Sequence, residues 1–447
     1  MTLKNAFIAA NRFGLGARSG DLARIKGDPR GWVENQIGPA RAVPALAHLP
    51  SSREIANDFF KGRKDRKDEA KRKIFRKWLQ RQFIAEAAAR TQAQIDSEDP
   101  IRERLTVFWS NHFTVSARKP VLKALAGPFE REAIRPHVTG SFADMLLAST
   151  RHPAMLAYLD NLQSIGPNSP AGRRRNKGLN ENLAREILEL HTLGVNGGYG
   201  QPDVIALAKM LTGWSVGRGR RVTAGAFAFR AAAHEPGAKT FLGRRYGEAG
   251  EEEAETALRA IARHPSTARH VAFKLARHFI ADSPPERVVA RLARVFLETE
   301  GDLAAMTRAV ADADEAWADP LAKVKTPNDF VVSVMRAIGM RMTRKDGDVR
   351  KLIAPLRLMG QMPFRAPSPA GWPDEAAHWI SPESVLKRAE LSMMVARKIA
   401  RVGNPEALLA ETVGPVAGKA LRRAVRAAPG RVDAIATILA SSEFQRR

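Results

Sequence analysis

The chain has 447 residues and no cysteine. Disulfides, thiolate nucleophiles and cysteine-based metal sites are therefore excluded. Aromatic residues make up only 6%, with three tyrosines, and strand formers are scarce. That scarcity favours helices. No apolar run approaches the roughly 20 residues that span a bilayer. The first residues carry no apolar core and no small-residue cleavage site, so no secretory signal is read and a cytoplasmic location is expected. Export alongside a partner protein is compatible with this reading. Gly14 and Gly16 are not followed by Gly-Lys-Ser/Thr, which excludes a phosphate loop, and the sequence holds no HExxH and no His-x-His.

Acidic residues are also in deficit. The 47 Asp and Glu face 72 Lys and Arg, for a net charge of +25. Such a charge permits binding to anionic polymers or surfaces. The basic residues are nevertheless spread along the chain, and nucleic acid is not the expected partner. One concentrated run, residues 61–77, is interleaved with Asp65, Asp68 and Glu69. It reads as a solvated helix face or, alternatively, as a polyanion-binding patch. A second basic cluster, 173–177, lies in a Gly/Pro/Ser-rich loop over 165–178.

What is present is mostly helical pattern. The expected fold is mainly α, a multi-helical globular body with a small β-hairpin excursion near 225–245. An N-terminal helical segment covers 1–50 and the body covers 51–360. A Pro-rich strap runs over 361–380, with Trp372 and Trp379 closing on the body. The C-terminal helices, 381–447, pack on that body as one continuous unit.

The densest polar pattern is 180–214, NENLAREILELHTLGVNGGYGQPDVIALAKMLTGW. Leu183, Ile187 and Leu190 form a stripe at i, i+4, i+7. Asn182 and Glu186 are four apart, as are Glu181 and Arg185, and Arg185 and Glu189, so each pair lies side by side on a helix. Asn180 suits an N-cap and Gly194 the C′ position. Gly200, Pro202 and Asp203 open a second helix. The loop between them lacks the alternating Asp and closing Glu of a calcium hand. The polar residues read either as surface pairs and caps or as a cluster of Asn182, Arg185, Glu186 and Glu189 facing a cleft.

Further candidates lie elsewhere. His112 follows an aromatic run, and Asp160 and Asn161 follow the hydrophobic run before them. His234, Glu235 and Lys239 gather on the excursion. His264, His270 and His278 are spaced six and eight apart, which makes no tight metal pair, so they read as structural.

Several segments carry a family resemblance. They are Phe108-Trp109-Ser110-Asn111-His112-Phe113, His152-Pro153-Ala154-Met155-Leu156, Tyr158-Leu159-Asp160-Asn161 and NENLAREILE. Further on are Leu193-Gly194-Val195, Thr212-Gly213-Trp214, His234-Glu235-Pro236-Gly237, Gly371-Trp372-Pro373-Asp374 and the terminal Ser-x-Glu-Phe. On these the chain resembles, over nearly its full length, the bacterial domain-of-unknown-function family numbered 1800. Gly200 departs from it, since the family commonly has Thr there. The resemblance implies a largely helical protein without an established activity. It singles out residues 111, 112, 160, 161, 182, 185, 186, 189 and 234. It also implies a partner, because genes of this family often neighbour a phosphatase- or sulfatase-like family.

Three functions are therefore weighed. In the first, a metal-assisted hydrolase, Glu186 acts as base, Arg185 stabilises an anion, and His112 or His234 serves as acid/base. Asn182, Asp160, Asn161 and Lys239 contact substrate, and Glu189 with Glu186 holds a divalent metal. The second is a non-enzymatic partner or maturation factor for a phosphatase- or sulfatase-like protein. The third is a polyanion binder.

Overall fold

The computed structural model describes residues 2–39, 41–64, 68–175, 178–217, 225–340 and 346–447. Among them are 23 α-helices, short π and 3-10 turns, and two small antiparallel sheets of two strands each. Buried side chains from Ala6 to Phe444 form one continuous apolar cluster.

The longest helix, Glu69–Asp96, shows how the sequence builds these elements. Asp68 caps it, accepting hydrogen bonds from the backbone N–H of Ala70 and Lys71 at 2.8 and 3.2 Å. Phe75, Leu79, Phe83 and Ala87 repeat every four residues and are buried, whereas Ile74 is 66% exposed. Lys73, Arg76, Lys77 and Arg81 face solvent. Of the 61–77 run, residues 65–67 lie outside the described residues, as do 176–177 of the second basic cluster.

The excursion is two ribbons. β1 (Trp214–Val216) pairs with β2 (Phe227–Phe229), and β3 (Lys239–Phe241) pairs with β4 (Arg244–Tyr246). The second ribbon is a two-residue hairpin whose Leu242 and Gly243 both have positive φ, at 48° and 73°.

The central motif folds as helix Asn182–Glu186, π-turn Ile187–His191, and helix Gln201–Leu211. Asn180 accepts from the Asn182 N–H at 3.0 Å. Gly194 takes φ 83° two residues beyond the C-cap Thr192. Asp203 accepts from the Gly200 N–H at 2.9 Å.

A buried ionic core joins distant parts of the chain. Asp329 pairs with Arg104 Nη1 at 3.3 Å and with Arg447 Nε at 3.0 Å, and all three are nearly solvent-free. Arg104 also donates to the carbonyls of Gly14 and Asn11. Lys325 donates to Asn11 Oδ1 at 3.0 Å, and Arg388 to the Lys325 carbonyl at 2.7 Å. Burial pushes the Asp329 carboxyl up, but Arg104 and Arg447 outweigh it and hold it at about 2. Removing one member of such a set leaves the others charged and unpaired. Asp329→Asn should cost about 3–5 kcal/mol in urea unfolding at pH 7. A loss below about 1 kcal/mol would contradict this account of the core.

Candidate functional site

The C-terminal turns of helix Pro100–His112, the last turn of Pro265–Phe279, the start of Pro327–Ala337 and the strap converge on one cavity. Its volume is about 80 Å³, enough for a few water molecules. Ser110, Asn111, His278, Asn328, Asp329 and Asp374 contribute polar groups, and Phe108, Phe364 and Trp372 contribute apolar walls.

The strap is fixed to the helix by one amide. Asn111 Nδ2 donates to the Trp372 carbonyl at 2.8 Å, and Asn111 Oδ1 accepts from the Trp372 N–H at 2.7 Å. Asn111 therefore behaves like a strand partner. Gly371 makes that approach possible. Its φ is 85°, and a Cβ there would lie 2.5 Å from the Asn111 carbonyl oxygen. Trp379 Nε1 closes the strap onto the Pro373 carbonyl at 2.9 Å.

This places Asp374 against His278. The Asp374 oxygens stand 2.9 and 3.0 Å from His278 Nδ1. Burial pushes the Asp374 carboxyl up, but His278, Lys323 and Arg447 outweigh it and hold the group well below the usual carboxylate range. An ionised Asp374 requires the imidazole proton on Nδ1. Burial lowers the His278 pKa against the pull of Asp374, with Arg447 and Arg104 assisting, so the ring is neutral at pH 7. Its Nε2 then carries a lone pair. That atom is buried and has no hydrogen-bond partner among the described residues. A neutral imidazole, oriented by a carboxylate and lining a cavity, is equipped to accept a proton.

Of the residues singled out by sequence, Asn111 lines this cavity and the others lie elsewhere. His112 is buried beside this cavity, where its Nε2 meets the His191 carbonyl at 3.0 Å. His270 Nε2 meets the Leu190 carbonyl at the same distance. Two imidazoles thus cap carbonyls at the end of the π-turn. Arg185 bonds Glu181 at 3.0 Å and Gln201 at 2.9 Å, tying the two central helices together, and Asn182 is exposed. Glu186 and Glu189 are partly buried. Burial and then Glu189 push the Glu186 carboxyl up, and burial with Glu186 pushes Tyr158 to about 12.

A third group surrounds the 211–214 turn. Asn161 Nδ2 donates to the Leu211 and Trp214 carbonyls at 3.2 and 3.1 Å. His234 Nδ1 meets the Thr212 carbonyl at 2.8 Å. Lys239 pairs with the buried Glu253 at 2.7 Å. Asp160, with φ 60°, pairs with Lys119 at 2.6 Å. No group of three or more His, Asp or Glu among the described residues is arranged to hold a metal ion. Glu186 and Glu189 therefore lack a third protein ligand there. Sequence reasoning left His278 as structural and gave Asp374 no role. The usable signal was periodic, because His270 and His278, two turns apart, share a helix face with Lys274 between them.

Two measurements follow from these environments. Burial first, then Lys274, lowers His191 to about 3 and His270 to about 4, against an ordinary 6.5. For His191 the charge of His270 adds to the lowering. The unfolded chain binds protons that the folded one refuses, so their contribution is complete above pH 6.5 and lost as the pH falls toward 4 and 3. Tm should fall over that window, and less steeply in His270→Gln; an unchanged slope in the variant would sink the assignment. Glu186, raised in the fold, is destabilising when charged. Glu186→Gln should therefore leave Tm at pH 7 unchanged or higher, whereas a fall of several degrees would mark a balanced charge network instead.

A family model described as "Protein of unknown function (DUF1800)" matches residues 8–446. No curated protein and no solved structure gives a significant match. The chain belongs to the DUF1800 family.

Proposed function

We propose that this protein is an enzyme that hydrolyses a small polar substrate in the cavity by general-base catalysis. The observation that carries the reading is the His278 ring. One nitrogen is held by an ionised carboxylate, and the other is unpartnered in a cavity wall.

In this reading Nε2 takes a proton from water as that water attacks the substrate. Asp374 then stabilises the imidazolium through the Nδ1–H bond, and it keeps the ring in the tautomer that leaves Nε2 free. Arg104 and Arg447 keep Asp329 ionised and paired, so it does not compete for the proton. Asn111 holds the strap, and with it Asp374, in register. The small volume and the aromatic walls limit the water that enters.

The test is a hydrolysis panel of carboxylic esters, amides, phosphoesters and glycosides. His278→Asn should lower kcat on any turned-over substrate by about 10²–10⁴-fold with the fold retained. Asp374→Asn should lower it less. The pH profile of kcat/KM should rise with a midpoint below 6.5, because burial lowers the base. Activity that survives both substitutions in folded protein would defeat the proposal.

A further inference from the structure

Arg90, on helix Glu69–Asp96, lines the cavity and is 8% exposed. Its guanidinium is held at one edge and one face. Nε pairs with Glu130 Oε2 at 2.6 Å, and the group lies over the Phe364 ring, 5.3 Å from the centroid. Nη1 and Nη2 make no hydrogen bond among the described residues, and neither atom is sealed off. Gln361 lines the same cavity. Its Oε1 accepts from the Asn328 N–H at 2.7 Å, which leaves Nε2 as a donor without a partner among the described residues. The other amides and the serine that line the cavity are already engaged. Ser110 donates to Glu130, Asn111 exchanges two hydrogen bonds with Trp372, and Asn328 donates to Gln94.

A guanidinium fixed through its Nε presents the remaining N–H groups as a planar fork, which matches the two oxygens of a carboxylate. Buried donors without acceptors are costly, and an anion that enters removes that cost. We propose that the substrate of the cavity is a small carboxylate, held by the Arg90 fork with Gln361 Nε2 as a further donor. The inference deepens the hydrolase reading and rests on it only in taking the occupant of the cavity to be the substrate.

The charges around the cavity favour one negative charge and no more. Its two carboxylates already have partners: Asp329 has Arg104 and Arg447, and Asp374 has the His278 N–H and the charge of Lys323. Glu130 is shared by Arg90, Arg135 and Ser110, so it steadies Arg90 without covering the fork. A neutral ligand would leave Nη1 and Nη2 unpaired. A dianion such as a phosphate ester would set its second charge against Asp329 and Asp374. In a volume of about 80 Å³ the scissile bond lies within a few atoms of the anchored carboxylate.

The experiment titrates the full chain with acetate, and with its uncharged isostere acetamide, by calorimetry at pH 7 and fixed ionic strength. Acetate should saturate one site and bind about tenfold more tightly than acetamide. Arg90→Lys keeps a charge beside Glu130 but loses the fork, and it should weaken acetate about tenfold. Gln361→Glu keeps the acceptor for Asn328 and should weaken acetate as much, which tests the site even where the Arg90 variant fails to fold. His278→Asn should bind acetate within about threefold of the wild-type chain, because the anchor is a separate group. Acetate bound no more tightly than acetamide by the wild-type chain, or displaced by an equal concentration of inorganic phosphate, would overturn the proposal. Acetate binding as expected, with no panel substrate hydrolysed, would sustain the anchor and defeat the hydrolase. Hydrolysis confined to uncharged substrates would do the reverse.

Discussion

The ion pairs made by Asp329 are the constraint on which the arrangement depends. Its carboxylate is buried between Arg104, from the helix that ends in the aromatic run, and Arg447, beside the strand-like 323–325 segment. Arg104 in turn reaches the carbonyls of the first π-turn region. Three stretches far apart in sequence are thereby fixed around one charge. Such a core is weak as a source of stability but strong as a specification, because each partner alone would be a buried, uncompensated ion. Asp329 also lines the cavity, so the charge that sets the fold borders the candidate site.

The cavity owes its form to a second, cheaper device. Asn111 mimics a strand edge and Gly371 permits the contact, so a Pro-rich segment is pinned to the helix by two hydrogen bonds. This is how Asp374 comes to face His278. The two are 96 residues apart. A loop placed by a rigid body is a common origin of functional residues.

Much of the local structure was legible. Asn180 accepts a hydrogen bond at the start of the first central helix, Gly194 takes a positive φ just beyond its π-turn, and Asp203 sits in the first turn of the second helix, because such features depend on a few neighbouring backbone groups. The mainly helical fold followed from composition and period. The central helix does not continue as a regular α-helix. Its last residues form a π-turn whose carbonyls are capped by His112 and His270, from other helices, and no local pattern encodes those partners.

The sequence by itself determined the helices, their caps, the absence of thiol chemistry and the family. Each of these depends on residues close in the chain or on composition. Tertiary structure alone decided which polar side chains meet. Glu186 and Arg185 make a conspicuous motif, yet Arg185 spends its guanidinium on Glu181 and Gln201, tying the two central helices together. His278 and Asp374 look unremarkable in sequence and become a dyad when the strap closes. The physical reason is that a lowered pKa, an orphaned nitrogen or an unpaired guanidinium edge arises from burial and from charges brought in from afar, and neither is a property of any short stretch of chain.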